Sequence, residues 1–88
     1  MKLKEGFILR KVADKYVVVA VGPLAKEFNG MISLNETGAF LFEIARTKAD
    51  ETEFKNALMQ RYVGLSEEIA LRDAKAFMKK LTEEELLK

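Results

Sequence analysis

Residues 31–37 read Met-Ile-Ser-Leu-Asn-Glu-Thr, and they leave no room for a loop. Met31 to Leu34 alternates at the two-residue period of a strand. Asn35 is a good helix N-cap, and Glu36 in the first turn suits the positive end of a helix dipole. A strand and a helix must therefore meet at a rigid corner in the middle of the chain. The strand before it is expected to run from Phe28 to Leu34, with Phe28, Gly30, Ile32 and Leu34 on one face and Asn29, Met31 and Ser33 on the other.

Upstream of the corner, Phe7 to Val12 alternates imperfectly and Tyr16 to Val21 is a β-branched run. Ala13-Asp14-Lys15 between them is short enough for a hairpin turn. The second run has no polar face, so both of its sides are expected to be covered, as in a central strand. Gly22-Pro23 breaks the pattern.

Downstream, three helices are expected. The first, about Glu36 to Arg46, carries Phe40, Leu41, Phe42, Ile44 and Ala45 and is apolar nearly all round, which predicts a central helix. Asp50 with Glu53 resembles a capping box for the second, whose inward face reads Phe54, Ala57, Leu58, Arg61 and Tyr62. Gly64 is expected to end it as a left-handed C′ residue. Ser66 caps the third, where Ala70, Ala74, Phe77 and Leu81 form a narrow apolar stripe. The fold class predicted is α+β, a three-stranded antiparallel sheet followed by three helices.

Length and composition narrow the chemistry. With 88 residues the chain reads as one domain, 1–88, with an adequate but thin core. Hydrophobic residues are 49% and charged residues 33%, an ordinary globular balance. No stretch has the length and apolarity of a spanning helix, and MKLKEGF lacks the apolar segment of a secretory signal, so a cytoplasmic location is expected. Cys and His are both absent, which removes disulfide, thiolate, imidazole and typical zinc or iron–sulfur chemistry. No cofactor is expected.

The remaining candidates are surfaces. The acidic pairs Asp50/Glu51 and Glu67/Glu68 and the run Glu83-Glu84-Glu85 fall at helix starts or in a charged tail. Capping and solubility account for them, and no nucleophile–base set or phosphate-cradling glycine loop is present. An enzyme is not expected. Arg72, Lys75 and Lys79 on the third helix could meet phosphates if the helices form a winged helix-turn-helix on DNA. The net charge of only +1 and the acids Glu67, Glu68 and Asp73 on the same helix make DNA binding the alternative reading. Asp73 lies at the margin of the apolar stripe, as a surface residue or as a polar contact beside a groove. Met31 and Ser33 either cap a covered sheet face or border an open one.

Three strands leave two unpaired edges, and an exposed edge is a template for another strand. If the third strand pairs on one side only, small residues on the third helix, Ala70, Ala74 and Ala76, leave a trough beside its free side. An extended peptide could fill that trough by strand addition. Pairing of the edge with a second copy, giving a homodimer by strand or domain swapping, is the other use of the same feature.

The segment LNETGAFLFEI, residues 34–44, resembles the L-N-x-T-[AG]-x-x-[IL]-[WF] signature of the PqqD-like proteins. Asp73, Ala74, Phe77, Met78 and Leu81 resemble that family's D-V-x-x-F-L-x-x-L helix. The resemblance covers essentially the whole chain. It implies a winged helix-turn-helix-like fold acting as a recognition element for ribosomally made, later modified peptides. Such a protein binds the leader of a precursor peptide and presents its core to a modifying enzyme, often a radical S-adenosylmethionine enzyme. The resemblance also implies that the leader lies between the third strand and the third helix. Its contacts would then be Asn29, Met31, Ile32, Ser33 and Leu34 on the strand, with Ala70, Asp73, Ala74, Phe77 and Lys80 on the helix. One departure stands out. The family commonly closes with Gly-Leu-[IVL], whereas this chain reads LTEEELLK with Glu84 or Glu85 near the glycine position. The third helix is accordingly expected to run further and to dock its end differently.

Overall fold

The computed structural model describes residues 1–28 and 30–88. Three strands precede three helices: β1 (Phe7–Val12), β2 (Lys15–Ala20), β3 (Met31–Leu34), α1 (Glu36–Thr47), α2 (Glu51–Arg61) and α3 (Glu67–Glu83). The sheet is antiparallel in the order β1-β2-β3. Val12 pairs with Lys15, so the hairpin turn is Ala13-Asp14 alone. Ala13 takes a φ of 58°, the left-handed value that a two-residue hairpin needs and that most side chains resist.

β3 is shorter than expected. The backbone N–H of Phe28 donates to Leu24 at 2.9 Å, which ties Phe28 to the 3-10 turn Gly22–Lys26 rather than to the sheet. Its ring meets Phe7 edge-on at 5.0 Å. The facial alternation within β3 follows the pattern, with Ile32 buried and Met31 and Ser33 exposed.

β2 is central in the pairing order, but only one of its faces is covered. Val18 is fully buried beneath the helices, whereas Val17 and Val19 on the opposite face are half-exposed. The register lines up Ile8, Val19 and Met31 across that outer face. A β-branched run satisfies strand geometry whether or not a second layer arrives, so apolar composition alone did not reveal the open side.

The helices begin where capping chemistry places them. Asn35 accepts from the Gly38 N–H at 2.7 Å, Asp50 from Thr52 and Glu53, and Ser66 from Ile69. α1 packs on α2, β2 and β3, with Leu41, Phe42 and Ala45 buried. In α2, Phe54 and Leu58 are buried, and the exposed Arg61 lays its guanidinium over Phe40 at 4.8 Å and Tyr62 at 5.7 Å. Gly64 is left-handed at φ 86°, yet it lies two residues past the Tyr62 cap. There it serves a turn closed by the Leu65 N–H donating to the Tyr62 carbonyl at 3.2 Å.

The third helix stops sooner than its sequence implied. The Leu86 N–H donates to Leu81 at 2.9 Å and the Glu85 N–H to Thr82 at 3.1 Å, the paired bonds of a Schellman stop. Glu85 itself occupies the left-handed position, φ 60°. Leu86 and Leu81, the hydrophobic pair that accompanies this motif, are both buried. The tail then meets the N-terminal segment, with Leu3 bridging Leu87, the Lys4 N–H donating to Leu86 and the Lys88 N–H donating to Lys2, both at 2.9 Å. Among the described residues no helix is long and apolar enough to cross a membrane.

Candidate functional site

The hydrogen-bond phase of the sheet decides what β3 offers. The Val21 N–H donates to Gly6 at 2.7 Å, and that pair continues the β1–β2 register. In an antiparallel ladder the bonded pairs alternate along the strand. Val19, Val17 and Lys15 therefore bond to β1, while Val18 and Tyr16 turn their N–H and C=O groups toward β3. Opposite Val18 and Tyr16 stand Ile32 and Leu34. Ile32 and Leu34 thus use their backbone groups on β2, and Met31 and Ser33 present theirs on the outer edge. Among the described residues neither Met31 nor Ser33 makes a further backbone bond.

A groove of about 380 Å³ runs beside this edge. One wall is Ser33, Leu34 and Asn35 with Thr37, Gly38 and Leu41 from the start of α1, and the other is Asp73, Ala76, Phe77 and Lys80 of α3. The strand–helix corner builds the first wall, since the first turn of α1 cannot avoid lying next to the last residues of β3. Gly38 belongs to that close approach: a Cβ there would stand 3.3 Å from Leu34 and from Asn35 Oδ1. Ala76 keeps the second wall low, and Phe77, buried and edge-on to Phe54 at 5.3 Å, fixes its base.

The residues expected at the site divide into groups. Ser33, Leu34, Asp73, Phe77 and Lys80 line the groove. Met31 is 72% exposed on the outer face of the same edge. The side chain of Ile32 is buried in the core with Val18 and Leu81, and Lys80 borders it. Ala70 and Ala74 have no exposed surface and sit in the core, so the trough does not owe its width to them. Their small size serves the close packing of α3 on α2, and of the three alanines only Ala76 reaches the groove. Asn29 lies outside the described residues. Thr37, Gly38 and Leu41 were not singled out as site residues, although their place directly after the corner was the signal available.

The charges of the groove stand on α3. Asp73 Oδ1 is 3.3 Å from Arg72 Nε in an exposed pair, and among the described residues Lys80 has no ionic partner. The other basic residues, Arg72, Lys75 and Lys79, are exposed. Four acids offset the four bases of α3, and Glu67 holds Lys55 at 3.3 Å, so the helix has no concentrated positive face for a phosphate backbone.

Comparison with known proteins bears on the fold and the family. Among solved structures, TbiB1 in complex with the TbiA(beta) leader peptide is similar with a TM-score of 0.74 over 100% of this chain and 95% of that one. The two are 18% identical, so the likeness is one of fold. No curated protein matches the sequence significantly. The family model for Coenzyme PQQ synthesis protein D (PqqD) matches residues 8–87. The chain therefore belongs to the PqqD family.

Proposed function

We propose that this protein is a recognition element for a ribosomally made precursor peptide. It takes the leader segment as an added strand along β3 and presents the rest of the peptide to a modifying enzyme, for which a radical S-adenosylmethionine enzyme is the choice. The whole of residues 1–88 acts as one domain, in the cytoplasm, by binding and not by catalysis. The observation that carries this reading is the outward set of N–H and C=O groups on Met31 and Ser33, with a groove between the end of β3 and α3 beside it. Family membership supports it, and so does a fold shared with a protein whose structure holds a leader peptide.

Affinity comes from backbone bonds to the edge, and selectivity from side chains that drop into the groove. Alternate residues of an added strand face Leu41, Ala76 and Phe77, while the others continue the outer row at Met31. Asn35 and the buried side of α1 hold β3 in its strand form before the ligand arrives, which lowers the ordering cost on the protein side. The leader still loses its own chain entropy, so affinity near micromolar, about −8 kcal/mol, is expected.

The test is a proline scan of the edge. Ser33→Pro removes a donor that faces outward and spares the bonds to β2, so the protein stays folded. Titration of labelled leader peptides from reading frames beside the gene should show about a tenfold loss, or 1.4 kcal/mol. Unaltered affinity in a folded Ser33→Pro protein counts against strand addition. The same free edge also favours a second reading, pairing with another copy of the chain, and sedimentation equilibrium with and without peptide distinguishes the two. DNA binding has a separate signature, a steep fall in affinity with salt.

A further inference from the structure

We infer that Asp73 and Lys80 select the charge order of the bound strand, an inference that rests on the strand-addition reading above. Both residues line the groove from one helix, and they carry opposite charge. They stand seven positions apart on the helix, about 10 Å along the axis. Along an extended ligand this distance falls between same-face residues two apart and four apart, about 7 and 14 Å. Both spacings lie within reach of a long charged side chain.

The polarity follows from how α3 lies against the sheet. Lys80 also borders the packed core beside Ile32, Leu81 and Leu86, whereas Asp73 does not. Just past the end of α3, Leu86 accepts from the Lys4 N–H, and Gly6 two residues later pairs with Val21 at the end of the sheet where Val19 faces Met31. The C-terminal end of α3 is therefore at the Met31 end of β3, and Asp73 is toward Leu34 and Asn35. A ligand antiparallel to β3, as every other neighbour in this sheet is, runs from the Asn35 end to the Met31 end. It meets Asp73 first and Lys80 second. The preferred ligand then carries a basic residue followed, two or four positions later, by an acidic one on the same face.

The electrostatic background does not erase this contrast. Arg72 pairs with Asp73, but both are exposed, and an exposed pair of this kind is weak and easily exchanged. The experiment selects binders from a displayed library of random twelve-residue peptides, using the full chain and its charge-exchanged variant Asp73→Lys/Lys80→Asp. Both positions are at the surface of α3, and circular dichroism verifies folding. Wild-type protein should enrich peptides with base before acid, and the variant should enrich the reverse. A wild-type binder should lose about tenfold on the variant at low salt and recover when its own two charges are exchanged. Enrichment of the same charge order by both proteins, or of no order, overturns the inference while leaving strand addition intact. Selected peptides that bind Ser33→Pro as well as wild type remove strand addition itself, and this inference with it.

Discussion

Among the described residues, two hold backbone angles that their side chains resist, and both mark ends of elements. Glu85 takes a left-handed φ of 60° at the stop of α3, and Ala13 a φ of 58° in the hairpin. A Cβ in that region costs roughly 1–2 kcal/mol, and glycine avoids it. The Schellman bonds from Leu86 and Glu85 form without glycine because Leu86 gains a buried site against Leu81. Glu85→Gly should therefore raise stability by about 1 kcal/mol and the midpoint of thermal unfolding by about 4–8 °C. Calorimetry checks this, and an unchanged or lowered midpoint means that the helix stop is not strained. Glu85 thus stops α3 in the left-handed backbone state that glycine favours, without a glycine at that position.

At the scale of elements, the corner between β3 and α1 matters most. Asn35 closes the strand, caps the helix through the Gly38 N–H at 2.7 Å, and contributes to the groove wall. Asn35→Ala should cost about 1 kcal/mol of stability, read as a shift of the urea midpoint. It should also weaken leader binding in titration, because a looser corner lets β3 leave the conformation that the ligand requires. A stability loss with fully retained affinity would show that the cap steadies α1 without preparing the edge. The open outer face of the sheet belongs to this scale too. Its row of Ile8, Val19 and Met31 ends at the free edge, so an added strand would lengthen the row.

At the scale of the whole molecule, the two ends of the chain are tied together. Leu86 is 2% exposed, and its carbonyl accepts from Lys4 while Leu3 bridges Leu87. Truncating such a leucine typically costs 2–5 kcal/mol, against a total stability of roughly 4–13 kcal/mol for a domain of this size. Leu86→Ala should accordingly remove a large part of the stability in urea unfolding and expose the Lys4 amide to hydrogen exchange. Val63→Ala, at a side chain 99% exposed, should change stability by less than about 0.5 kcal/mol. Equal effects at the two sites would mean that the tail does not belong to the core.

What the amino-acid sequence determined by itself was local. Asn35, Asp50 and Ser66 announced three helix starts, the stripe Ala70, Ala74, Phe77 and Leu81 named the inward side of α3, and alternation put Ile32 and Met31 on opposite faces of β3. Each rests on a period or a cap that a few neighbouring residues decide. Tertiary structure alone decided which amides stay free on β3, because register and hydrogen-bond phase are set across strands and not along them. It also decided that Ala70 and Ala74 are core while Ala76 borders the groove: small size reads the same on a helix whether it admits a neighbouring helix or a ligand. The left-handed Glu85 and the strap from Leu3 to Leu87 likewise arise from burial of Leu86, a contact between the chain's two ends that no local pattern records.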